Sequence, residues 1–260
     1  MKAVIAVAFG LTILGSLLAY QKNRQYENEM QNPVDDPPDA YEKTEWAFAR
    51  LRYRSGYGRW RGGSWGTDSN KAERQFSQGV RRLTRVHTRS VEEIIDADSD
   101  EVYNWPWLYA VEVGHWQLSQ PQAKRLRDYL DRGGFLMVDD FHGTYEWDIF
   151  MAGLKQIFPD RPVVDIEDDN PIFHVLYDLH ERVQVPGRQF VYSGRTYEKD
   201  GVEPRWRAVF DDKGRIQVAI CHNMDLGDAW EWADSPDYPE KYASLAYRIG
   251  INYIVYSMTH

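Results

Sequence analysis

The sequence predicts an α/β fold with a mainly parallel sheet, and three observations carry that prediction. Residues 107–113 (WLYAVEV) and 135–138 (FLMV) are short apolar runs, the form taken by strands covered on both faces. Segments with apolar residues at helical spacing separate these runs, as a βαβ arrangement requires. The chain of 260 residues is 43% hydrophobic and 14% aromatic, enough for one sizeable core and too apolar for disorder throughout.

Each element has its own signal. Residues 3–19 form an apolar run after Met1-Lys2, free of charge, and read as a secretory signal or a membrane anchor. The poor cleavage site at Leu17-Leu18-Ala19 favours the anchor. Residues 21–45 are polar, with Pro33, Pro37 and Pro38, and read as a spacer. The folded domain is expected over 46–260. Residues 46–53 alternate as a strand. Asp68 or Ser69 is expected to cap a helix carrying Ala72, Phe76, Val80 and Leu83. Ser90 and Glu93 have capping-box spacing. Ser119 starts a helix through Asp131 that Gly133-Gly134 stops. Residues 147–158 form a helix ended by Pro159. Residues 207–210 and 216–221 pair around Asp212-Lys213-Gly214. Residues 238–256 form a final helix.

Charge is unevenly distributed. The net charge is −9, yet residues 50–89 carry eleven cations against only Asp68 and Glu73. The simpler reading of this block is neutralisation by acidic surface elsewhere; the sharper one is an anion site. Arg54, Arg59, Arg61, Trp60 and Trp65 are the ligand-binding candidates, lying in or beside a glycine-rich loop. That loop matches neither common phosphate-binding glycine fingerprint. Acids recur from Asp225 to Glu240 without an EF-hand pattern, and are expected to face the basic block. A globally acidic chain is a poor nucleic-acid binder, so no such partner is expected.

Ligands of open α/β sheets sit beyond the carboxyl ends of the strands. Glu112 and His115 follow one predicted strand end; Asp139, Asp140 and His142 follow another. With Arg54 they converge on one rim if their strands are neighbours. Carboxylate beside imidazole supports acid/base work or divalent-cation binding, whereas helix capping is the structural alternative. The single cysteine, Cys221, excludes an internal disulfide and a cysteine-based zinc site. No cofactor and no metal are assigned.

Residues 48–53 (FARLRY), 106–109 (PWLY), 130–140 (LDRGGFLMVDD), 170–174 (NPIFH) and 250–256 (GINYIVY) resemble a bacterial family, domain of unknown function 4159. The resemblance spans residues 46–256. It implies a flavodoxin-like, class I glutamine-amidotransferase-like three-layer sandwich, with members that are often membrane-anchored, but no activity. Asn170 stands where the family pattern has His. Glutaminase chemistry is not expected: the elbow 139–143 lacks cysteine, and no His-x-Glu follows Cys221. Two functions remain. The first is a non-catalytic module of the cell envelope or periplasm, tethered by the N-terminal segment, that binds an anionic or carbohydrate ligand or a protein partner. The second is a hydrolase-like enzyme, metal-assisted or acting on glycans, using Glu112, His115, Asp139, Asp140 and His142.

Overall fold

The structure is a computed structural model and describes residues 37–55 and 65–260. The apolar run 3–19 and the loop residues Arg59, Trp60 and Arg61 lie outside the described residues. Seven strands form one mostly parallel sheet: β1 (Ala49–Arg52), β2 (Glu93–Asp96), β3 (Trp107–Val111), β4 (Phe135–Asp139), β5 (Val164–Asp165), β6 (Arg205–Phe210) and β7 (Ile216–His222). Their order is β2-β1-β3-β4-β7-β6-β5. The first five strands of that order run parallel, and β6 and β5 add an antiparallel edge.

Alternation along the strands fixes the layers. Trp107, Tyr109, Phe135 and Met137 face one core with helices α1 (Lys71–Leu83), α5 (Leu226–Glu231) and α6 (Glu240–Thr259). Leu108, Ala110, Leu136 and Val138 face the other, with α2 (Gln120–Asp131) and α3 (Gly143–Ile157). A further short helix, α4 (Gln189–Ser193), precedes β6. Both sheet faces are thus covered, which is why β3 and β4 read as continuous apolar runs. The aromatic residues largely fill this core: Trp46, Trp107 and Trp230 are fully buried.

Three local expectations need correction. Asp68 and Ser69 do not cap α1; the helix follows Asn70, whose amide donates instead to Glu92 at 2.7 Å. Ser90 and Glu93 do not start a helix: Ser90 bonds the Asp39 carboxylate, and Glu93 opens β2 beside Ala49. Helix α3 begins at Gly143 rather than Trp147. Its start is stabilised from a distance, by the Asp200 carboxylate accepting from Thr144 N and Oγ1. At Ser119, by contrast, the capping box with Gln122 forms as expected.

The basic block is paired mainly with acids other than those of residues 225–240. Arg50 pairs with Glu73, Arg52 with Asp96, Arg74 with Glu92, Arg81 with Asp39 and Arg89 with Glu93. From the later acidic stretch, Asp234 meets Lys71 at 3.0 Å.

Candidate active site at the carboxyl rim of the sheet

Strands β3, β4 and β7 are consecutive in the sheet, and each ends in a non-glycine residue with left-handed backbone. Glu112 follows β3 at φ 55°, Asp140 follows β4 at φ 51°, and Asn223 follows β7 at φ 65°. Such residues are uncommon and persist where the surroundings over-determine them. Here backbone bonds stitch the three turns together: Glu112 N to Asp139 O at 3.1 Å, Asp140 N to Met224 O at 3.1 Å, and Asn223 N to Phe141 O at 3.0 Å. The register pairs Val111 with Asp139, which puts Glu112 and Asp140 at the same level of the sheet.

The sequence-predicted acids and histidines form two connected groups. His115 Nε2 lies 3.1 Å from Glu112 Oε2 and 3.0 Å from Glu146 Oε1. Lys199 also pairs with Glu146, whose other oxygen accepts from His142 N at 2.6 Å. His142 Nε2 lies 3.2 Å from Asp140 Oδ1. Glu146 therefore joins the two groups, and sequence spacing hides it because it sits one turn inside α3. Gly114 belongs to the same fit: a Cβ there would collide with the Glu146 side chain.

Asp139 turns toward the opposite layer. Its Oδ2 accepts from Tyr109 OH at 3.0 Å, Leu226 N at 2.8 Å and Gly227 N at 3.0 Å. It therefore serves both as a structural acceptor at the start of α5 and as a charge beside the rim. Arg54 is exposed at the end of β1 and is not joined to this network among the described residues. Trp65 packs over the Arg52 guanidinium, 5.6 Å from ring centre to Cζ. Asn170 caps the 3-10 turn Pro171–Phe173, accepting from Ile172 N at 3.1 Å. Cys221 is buried on β7, and burial holds its thiol well above the ordinary range.

Electrostatics divide the rim into poised groups. Burial, reinforced by Glu112, pushes Asp140 well above the usual carboxyl range. Burial and the Asp140 charge raise Asp139 to about 7. Hydrogen bonds to Glu112 and Glu146 raise His115 to about 9, so its imidazolium persists at neutral pH. Burial works against ionisation of Glu146, but bonds from His115, Lys199 and His142 N outweigh it and hold the group at about 2. Burial lowers His142, which stays a neutral imidazole. A carboxyl whose protonated form burial favours thus lies 3.2 Å from a buried imidazole, and Glu146 accepts from that residue's backbone N–H.

An open cleft of about 410 Å³ borders the elbow, lined by Thr144, Trp147, Asp200, Arg205, Arg207 and His222. Asn223 builds its floor, accepting from Gly143 N at 2.9 Å and donating to Glu203 O at 2.7 Å. Gly143, at φ 75°, is required twice over, since a Cβ would also strike Asp200. Among the described residues, no helix is long and apolar enough to cross a membrane.

A family model described as Domain of unknown function (DUF4159) matches residues 47–258. No curated protein matches the chain.

Proposed function

We propose that this chain, which belongs to the DUF4159 family, is a hydrolase-like enzyme that performs acid/base chemistry at the carboxyl rim of its sheet. The observation that supports it is the row of left-handed residues Glu112, Asp140 and Asn223 on adjacent strand ends. A fold does not keep three such turns side by side for packing alone, and strain of this kind gathers at working sites. Asp140 occupies the strand-to-helix elbow, where burial favours its protonated form.

In this reading Asp140 donates a proton to the leaving group and Glu112 takes one from the attacking water. Solvent then returns the proton from Glu112 to Asp140. His142 is a positioning residue that orients the Asp140 carboxyl, while His115 and Lys199 hold Glu112 and Glu146 in place. The cleft beside Gly143, with Trp147 and the two arginines, would take the substrate body, while Asp140 and Glu112 lie outside its lining. The uncharged run 3–19 supports a tether at the cell envelope.

The test is turnover of a panel of 4-nitrophenyl esters, phosphates and glycosides by the full chain. The expected result is hydrolysis of one class, lost in Asp140→Asn and Glu112→Gln with unchanged circular dichroism. No hydrolysis across the panel, or hydrolysis untouched by both substitutions, would contradict the reading.

A further inference from the structure

A second group of carboxylates lies on the α1 and α5 side of the same rim. Carboxylate oxygens of Asp68, Asp225 and Asp228 all lie within 4.8 Å of one another. Asp225 is 4% exposed. One of its oxygens caps α5 by accepting from Asp228 N at 2.8 Å. Asp228 accepts from Arg188 N at 2.6 Å and Trp232 Nε1 at 3.2 Å. Two glycines make room for this crowding. A Cβ on Gly227 would collide with Asp68 Oδ2, and one on Gly187 would collide with Asp225 Oδ2 and lie 2.9 Å from Asp228 Oδ2.

Independent observations point to a ligand. Asp139 is fully buried, yet among the described residues its Oδ1 has no hydrogen-bond partner. Its other oxygen is held by the N–H groups of Leu226 and Gly227, between Asp225 and Asp228 in the chain. Gln189 is half-buried, and among the described residues both its Oε1 and its Nε2 are buried without a partner. The same Cβ position on Gly187 that meets Asp225 Oδ2 lies 2.8 Å from Gln189 Oε1, so the amide faces the carboxylates. Asp68 Oδ2 is likewise buried and unpartnered. Burying so many acceptors without donors is costly unless something satisfies them.

We propose that Asp68, Asp225 and Asp228, with the Gln189 carbonyl oxygen, bind one hard divalent cation. Oxygen-only donors select magnesium, calcium or manganese over zinc or copper. Asp68 is half-buried. This site lies on the same rim and goes beyond the acid/base reading, since it stands on its own carboxylates and not on the Asp140 proton.

The test is calorimetric titration of the chelator-treated full chain with magnesium, calcium and manganese chloride. Manganese paramagnetic resonance counts the bound ions. Saturable binding of one ion is expected, weakened by on the order of tenfold or more in Asp225→Asn and Asp228→Asn. Asp68→Asn, at a half-buried ligand, guards against loss of the fold, and Glu112→Gln should still bind. Absence of saturable binding by all three ions would overturn the site. So would binding undiminished in both Asp68→Asn and Asp225→Asn. Ion binding without turnover of the substrate panel would defeat the hydrolase reading alone, whereas turnover without ion binding would defeat the cation site alone.

Discussion

A buried aspartic acid in left-handed backbone is doubly unfavourable, and Asp140 is such a residue. Backbone strain of this kind costs about 1–3 kcal/mol. Asp140→Asn keeps the shape, removes the desolvated acid, and is expected to raise stability by about 0.5–2 kcal/mol while abolishing turnover. Urea unfolding and the substrate panel check the two halves. The neighbouring groups predict opposite pH dependences. Asp139 titrates at about 7 in the fold, above its ordinary 3.8, so the native state binds the extra proton. Its contribution is full below about 3.8 and lost as pH rises toward 7, at up to about 1.4 kcal/mol per pH unit. Asp139→Asn should flatten that limb of a stability–pH curve. Glu146 behaves conversely: its depressed value of about 2 gives stability above 4.5 that is lost as pH falls. His115, raised from 6.5 to about 9, gives stability below 6.5 that is lost through 9, and His115→Gln should remove this alkaline loss. At this scale Glu112, His115, Asp139, Asp140 and His142 were legible because strand ends are where α/β sites form. Glu146, Lys199, Asp68 and Gln189 were not, since folding alone brings them there from distant segments.

Elements were legible where their signals are local. Helix α2 carries its own cap at Ser119, and Ser119→Ala is expected to cost about 1 kcal/mol in urea unfolding. Strands β3 and β4 announced themselves because both of their faces are buried. Strand β2 was hidden: Glu93-Ile94-Ile95-Asp96 is short and polar-ended, and its strand state comes from pairing with β1. The start of α3 was hidden for the same reason, because its cap arrives from Asp200. Gly143→Ala is expected to destabilise by at least about 1 kcal/mol, through both φ and the Asp200 collision. Of the acids after Cys221, Asp234 meets the basic block at Lys71, but Asp225 and Asp228 do not serve as its surface partners. The first turn of α5 instead carries Asp225 and Asp228 inward, where two glycines admit them.

Among the described residues, a fully buried ion pair joins the sheet to its helices. Arg50 of β1 and Glu73 of α1 are both fully buried. Arg50 Nη1 also donates to Trp65 O at 2.9 Å and Thr67 O at 2.8 Å, fastening the chain just ahead of Asp68. Removing one partner strands a buried charge, so Glu73→Gln is expected to cost about 3–5 kcal/mol in unfolding experiments. The net charge of −9 is thereby resolved into pairs along the basic block and a residue of buried acid at the rim. That residue is the centre of the functional account, since it makes a carboxyl that keeps its proton at neutral pH. Carbon-13 magnetic resonance of the aspartate-labelled full chain, in chelator-treated buffer, measures this directly. The account predicts a carboxyl resonance still in its protonated position at pH 7 that disappears in Asp140→Asn. Complete ionisation of every aspartate below pH 5 would contradict it.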